Sequence, residues 1–506
     1  TDDRQKDVIA IEGGLRNRIA RGETVTEAAL RNRIAGGETA TEAVPRNRIS
    51  LGGLWIGGHS IRTRIRDNVI AGGNGNGVTL GSTVQFLSSG REKSGPDVTT
   101  VISIDDGGCP RFDPPGSFRI PPAEPGASDP PRTESEGPLT DLRIERNRID
   151  DMGASGITVG YWFVAEEDLE YAFDDIEIED AVIADNVIQR CMALDLSAAL
   201  PVEAAFATGF GGIALASAVD LQVENNDIRR CGAEVRTPIC GIYVRYGERL
   251  SITGNRIYDN GRPATLSDPL LVGNIGGIIL SQVEGRAETF GRGLRETPAL
   301  IVRENTVVSP EGRALELVGS GQMLVESNAL TAHGNNSLGL IILALNAATS
   351  GKEANFTTPG VQGQVRALMA QLLGSSVSIL NTGLNPNSAI PLGGLTAAAG
   401  RPTPNRLAPE RSASGLNGLP PQGPVMFNDN QVTFDAFTGA ATLSLCSVGM
   451  LSLDDVAMQD NQCMVDAFED LVLANALVIG LVSTRVQGNR FREIVNRRFF
   501  LNEDEG

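Results

Sequence analysis

Val223-Glu224-Asn225-Asn226-Asp227-Ile228 and Ile252-Thr253-Gly254-Asn255-Arg256-Ile257 share one pattern: an Asn with an apolar residue three positions before it and another two positions after it. The same pattern recurs at Asn68, Asn147, Asn186, Asn305, Asn328, Asn430, Asn461 and Asn489. Apolar and polar residues alternating on either side of an Asn predict a short strand, a sharp bend and a second short strand. Asn tolerates the left-handed backbone that such a bend needs.

The closest repeats, Asn305 and Asn328, are 23 residues apart, and the other spacings exceed this by variable amounts. A constant rung with variable loops predicts a solenoid. Rungs stack at roughly 4.8 Å, so equivalent side chains form rows, and a buried Asn can bond its own turn and the Asn of the next rung. The ten asparagines are therefore expected to be a structural ladder. Several repeats add a third strand that opens on Gly: Gly77-Val78-Thr79-Leu80, Gly156-Ile157-Thr158-Val159, Gly212-Ile213-Ala214-Leu215, Gly241-Ile242-Tyr243-Val244 and Gly277-Ile278-Ile279-Leu280. Three strands per rung predict a triangular, all-β parallel coil.

These repeats resemble those of the right-handed parallel β-helix, or pectin-lyase-like, superfamily over roughly residues 60 to 346 and 425 to 495. The resemblance implies an all-β, right-handed parallel β-helix solenoid with capped ends and two long insertions. It does not choose a function, because that superfamily includes polysaccharide lyases, glycoside hydrolases, epimerases, phage tailspikes, adhesins and inert scaffolds.

The organisation follows from where the repeat stops. Residues 1–50 form an N-terminal cap or first irregular coils, with Arg-Asn-Arg-Ile at 16, 31 and 46 repeating every 15 residues, too short for a rung. The coil occupies 51–346, with a proline-rich insertion at 85–140 and a shorter excursion at 284–298. A second insertion, 347–424, carries a short helix near Val361 to Leu373, where apolar residues recur at three and four. Residues 425–506 hold the last coils and a C-terminal cap, since a charged tail can blunt exposed strand edges.

Composition narrows the partners. A formal charge of -19, from 43 basic and 62 acidic residues, argues against nucleic acid as the main partner. The longest apolar runs, near Leu338 to Leu345 and Leu471 to Val482, are too short or too interrupted to span a membrane. The chain opens on Thr1-Asp2-Asp3 without a charged-then-apolar leader, so it reads as a mature product, a fragment or a renumbered piece. An extracellular place, or one in a surface or phage-like particle, is expected. The six cysteines lack the paired spacing of a zinc site, and no metal or other cofactor is expected. Cys191 and Cys231 each follow a ladder Asn by five residues and share a row; packed thiols and a disulfide between rungs both remain open.

Two clusters carry candidate chemistry. All five tyrosines, at 161, 171, 243, 246 and 258, fall between the rungs of Asn147 and Asn255, together with Trp162. Ile242 and Val244 point inward, which places Tyr243 on the outside of its strand. Tyr161, Trp162, Tyr243 and Tyr246 could then stack on sugar rings, or pack beneath inserted loops. The second cluster lies four positions after successive ladder asparagines: Asp151, Arg190, Arg230 and Asp259, with Asp150 and Arg229 beside them. It is either a surface ion-pair ladder or, as the resemblance to lyases implies, a site with Arg190 or Arg230 as base and Asp151 or Asp259 near a Ca²⁺.

The polygalacturonase-like signature is incomplete. Aspartate pairs occur at 105–106, 174–175 and 454–455, but Ala332 precedes His333-Gly334 and no Arg-Ile-Lys follows. A turn is expected at His333-Gly334-Asn335-Asn336, and another at Gly72 to Gly77. The expected function is a non-enzymatic structural or attachment module that meets other protein chains of an assembly. The alternatives are a polysaccharide lyase or other carbohydrate-active enzyme, and a glycan-binding module without turnover.

Overall fold

The computed structural model describes residues 53–86, 92–93, 102–104, 110–112, 132–162, 175–195, 208–263, 274–284, 286–290, 293–334, 338–344, 423–436, 446–452, 454–467, 475–480 and 482–495. Among them every regular element is a strand. The expected N-terminal cap, the helix near Val361 to Leu373, most of the second insertion and the charged C-terminal tail lie outside the described residues.

The repeat builds a parallel coil. The second strands of the rungs form a ten-stranded sheet from Val69–Gly73 to Arg490–Val495. The first and third strands pair in the same rung-to-rung manner along the other faces. Register is strict: Ile65 opposes Ile144, Ile144 opposes Ile183, and Ile183 opposes Val223. Likewise Ile149 opposes Ile188, and Ile188 opposes Ile228. The two apolar residues flanking each Asn thus become two continuous rows inside the coil, almost all of them buried. Each such side chain contributes roughly 1.5–3 kcal/mol of hydrophobic stabilisation. The cross-section is less cleanly triangular than the sequence predicts. Gly211–Glu224 is one 14-residue strand that serves as third strand of one rung and first strand of the next, turning at left-handed Asp220.

The bend is made differently from the sequence-based expectation. In all ten repeats the left-handed residue is the one before the ladder Asn: Asp67, Arg146, Asp185, Asn225, Gly254, Glu304, Ser327, Asp429, Asp460 and Gly488, with φ between 53° and 71°. The ladder Asn itself has ordinary backbone, and its position is selected by its carboxamide. Asn186 donates from its backbone N–H and from Nδ2 to Oδ1 of Asn226, at 3.0 and 2.9 Å. A second Nδ2 hydrogen reaches back to the carbonyl of Ile144, at 2.8 Å. Asn226 does the same toward Asn255 and Ile183, and the chain of bonds runs unbroken from Asn68 to Asn489. Each carboxamide from Asn147 to Asn461 ties three rungs and satisfies its own polar atoms inside an apolar core, a pattern only Asn supplies at this length.

Glycine at the head of the third strand has an equally local cause. A Cβ on Gly212 would lie 2.3 Å from Cγ2 of Ile228 and 2.6 Å from the carbonyl oxygen of Gly241. Gly156 and Gly241 meet Ile188 and Ile257 in the same way. The inner isoleucine of the next rung fills the space a side chain would need.

The excursions are structured where they are described. Within 85–140, Thr83–Phe86 pairs antiparallel with Glu92–Lys93 and Arg132–Ser135, and Ile102–Ile104 pairs with Pro110–Phe112. The excursion at 284–298 is an antiparallel hairpin, Arg286–Phe290 with Gly293–Thr297. At the far end of the described coil, the inward row reaches Val486 and Phe491, which stand exposed because no further described rung covers them.

Candidate functional site

Asp151, Arg190, Arg230 and Asp259 stand in one external row on four successive rungs. Each takes left-handed backbone, with φ between 52° and 57°, at the fourth position after its ladder Asn. All four are exposed. The first two form a pair: Arg190 Nε donates to Asp151 Oδ1 at 2.7 Å, and the guanidinium also reaches Asp151 Oδ2 at 3.2 Å. Arg190 further contacts Asp150. Asp150 is nearly buried and also accepts from Arg148 and Gln189, each at 3.0 Å. Arg229 folds back onto Asp227 of its own strand. Arg230 and Asp259 make no ion pair among the described residues.

The Arg190 hydrogen bond holds the Asp151 carboxyl below the usual aspartate range, and Asp151 in turn raises Arg190. A depressed carboxyl adds stability above its unfolded-state pKa and loses it as pH falls through the folded value. Because both groups are solvated, that contribution is small. Arg190→Ala is expected to move the Asp151 titration upward, seen by NMR of the carboxyl carbons, while leaving the melting temperature nearly unchanged. An unmoved Asp151 would contradict the pairing.

The aromatic cluster is covered. Tyr243 does project from the outer side of strand Cys240–Glu248, between Ala214 and Ile279 of the neighbouring rungs. Yet it is 0 % exposed, and Tyr161 and Trp162 are buried with it. A Cβ on Gly209 would land on the Tyr243 ring, so that segment lies directly against the phenol. Trp162 meets Tyr243 with ring centroids 5.7 Å apart. Arg245 sits 5.6 Å from the Trp162 ring centre and 5.1 Å from that of Tyr246, and pairs with Asp175. Burial works against the Arg245 charge, but the Asp175 carboxylate together with Tyr246 and Tyr243 outweighs it, and the guanidinium is held above its usual pKa. Burial also pushes the Tyr243 phenol up. Tyr246 and Tyr258 are half-buried, and Tyr171 lies outside the described residues. The outward direction of Tyr243 follows from strand alternation; its burial comes from Trp162 and the segment at Gly209, which lie against it.

His333 corrects another expectation. His333-Gly334 ends strand Ala329–Gly334 instead of forming a turn, and His333 Nδ1 lies 3.1 Å from Asp435 Oδ2. Asp466 follows Asp435 in register. The signal was present: all three fall five residues after a ladder Asn, as Cys191 and Cys231 do. Sequence separation hid it, because His333 and Asp435 lie 102 positions apart. Of the aspartate pairs, Asp455 accepts from Ser483 at 2.7 Å and Asp454 N–H donates to Ser452 Oγ at 3.0 Å, while Asp105 and Asp106 lie outside the described residues. Of the expected turn at Gly72 to Gly77, Gly72 and Gly73 end strand Val69–Gly73 and the chain bends over 74–77, with Asn76 Oδ1 accepting the Ser155 N–H. No group of three metal-ligating side chains is assembled among the described residues.

Residues 169–348 match a family model described as a right handed beta helix region. The described coil extends beyond that segment on both sides. No curated protein and no solved structure matches the chain.

Proposed function

With a right-handed β-helix as its framework, we propose that the chain is a non-catalytic structural or attachment module that joins other protein chains in a larger surface, appendage or phage-tail-like assembly. The observation that carries this reading is the state of the side chains best suited to chemistry. Asp151 and Arg190 are spent on each other, Asp150 on Arg148, Gln189 and Arg190, and the Tyr243–Trp162–Arg245 cluster on its own buried packing and on Asp175. Such a surface favours a rigid spacer, with contacts to partners made by the insertions.

A second reading keeps one observation of its own. Arg230 and Asp259 are exposed on adjacent rungs and unpaired among the described residues, as a lyase base and a cation-binding acid would need to be. The test incubates the purified chain with acidic polysaccharides, with and without Ca²⁺, and measures unsaturated product, reducing ends and retention of glycan. The expected result is no turnover, and a mass above the monomer in native mass measurements with its neighbouring chains. Turnover that disappears in Arg230→Ala would overturn the structural reading in favour of the lyase; retention without turnover would favour the glycan-binding module.

A further inference from the structure

Cys191 and Cys231 are the one pair of cysteines in cross-rung register among the described residues. Strands Val187–Gln189 and Asp227–Arg229 pair residue for residue. The match continues past left-handed Arg190 and Arg230, where Gly232 N–H donates to the Cys191 carbonyl at 2.7 Å. The two cysteines therefore occupy equivalent corners of consecutive rungs, roughly 4.8 Å apart along the coil. That lies inside the Cα separation of about 4.4–6.8 Å that a disulfide requires. Both side chains face the core, nearly inaccessible, and both are free thiols. Each sulfur also lies within hydrogen-bond reach of a carbonyl, Cys191 of Gln189 at 3.6 Å and Cys231 of Arg229 at 3.9 Å.

The remaining described cysteine side chains have no such neighbour. Cys240 stands between Gly211 and Gly276 on the third-strand face, with Sγ 3.1 Å from the Phe210 carbonyl. Cys463 stands between Val432 and Phe491.

The geometry points to Cys191 and Cys231 as an inter-rung disulfide site, closed by exchange with a small disulfide such as oxidised glutathione while this part of the coil is folding. One cysteine thiolate attacks the small disulfide, releasing one glutathione thiol and leaving a mixed disulfide. The other attacks the protein-bound sulfur and expels the second glutathione. The protein thiols lose two electrons and two protons, and oxidised glutathione becomes two thiols. Folding without an oxidant leaves both sulfurs buried, and contact with Cys231 together with burial holds the Cys191 thiol in its poorly nucleophilic protonated form. The link would close the stretch from 191 to 231, which includes the 14-residue strand Gly211–Glu224. It would restrict the unfolded chain more than the folded one.

The full chain is refolded in a mixture of reduced and oxidised glutathione, alkylated, and mapped as non-reduced peptides. The same map is made on chain secreted into an oxidising compartment, so that poor refolding does not decide the result. A dominant Cys191–Cys231 peptide is expected, with amide exchange in Gly211–Glu224 about 10- to 100-fold slower than in Cys191→Ser. Two alkylated thiols at these positions in a chain with native β-sheet circular dichroism would overturn the inference. A dominant Cys231–Cys240 link would do so too.

Discussion

Asn226→Ala is expected to destabilise the coil by about 4 kcal/mol, because it strips the acceptor from two buried donors at once, each costing about 1–3 kcal/mol. The Asn186 backbone N–H and the Asn186 Nδ2 both end on Asn226 Oδ1. Ile183 loses its side-chain donor as well. No water can replace these partners in a row that is 0 % exposed at Asn186, Asn226 and Asn255. Asn68→Ala is the internal control. It sits at the half-buried end of the ladder, where no described donor reaches its Oδ1, and its loss is expected to cost about 1 kcal/mol. Denaturant midpoints, with amide exchange in Val187–Gln189 and Asp227–Arg229, measure both. Equal losses at the two positions would show that the ladder gains nothing from its continuity.

Arg245→Ala is expected to cost about 3–5 kcal/mol, the penalty for removing one partner of a buried ion pair. The guanidinium leaves strand Cys240–Glu248, sits near the Trp162 and Tyr246 rings, and pairs with Asp175. Adding Asp175→Asn should recover part of the loss, since the uncompensated carboxylate is then gone. The loss is read as a lower melting temperature with no change in glycan retention. A normal melting temperature with weakened retention would mean that the cluster serves a ligand.

The parallel coil was legible in the sequence because its cause is local and repeated. Apolar residues at minus three and plus two of each Asn must share a face, and ten repetitions leave a solenoid as the arrangement that buries them all. What the Asn does was only half legible. Composition suggests a left-handed bend, whereas the bend belongs to the preceding residue, which ranges from Gly254 to Arg146. A turn of that kind tolerates many side chains once stacking holds it, so the sequence conserves the carboxamide that does the stacking.

Side-chain environments outside the coil needed the tertiary structure. Alternation along Ile242-Tyr243-Val244 sets the direction of Tyr243 but is silent on what lies above it, and Trp162 and the segment at Gly209 turned an outward ring into a buried one. The charge row was visible at fixed offsets, but its pairing was not: Arg190 chose Asp151 and Asp150, while Arg230 and Asp259 were left to solvent. His333 and Asp435 became neighbours because an insertion of any length returns the chain to the next rung in the same register. By itself the sequence determined the inner rows, the asparagine ladder and the glycine heads of the third strands, all governed by contacts that repeat from rung to rung. The tertiary structure alone decided which outer side chains are covered, paired or free, because those depend on where the variable excursions fold back.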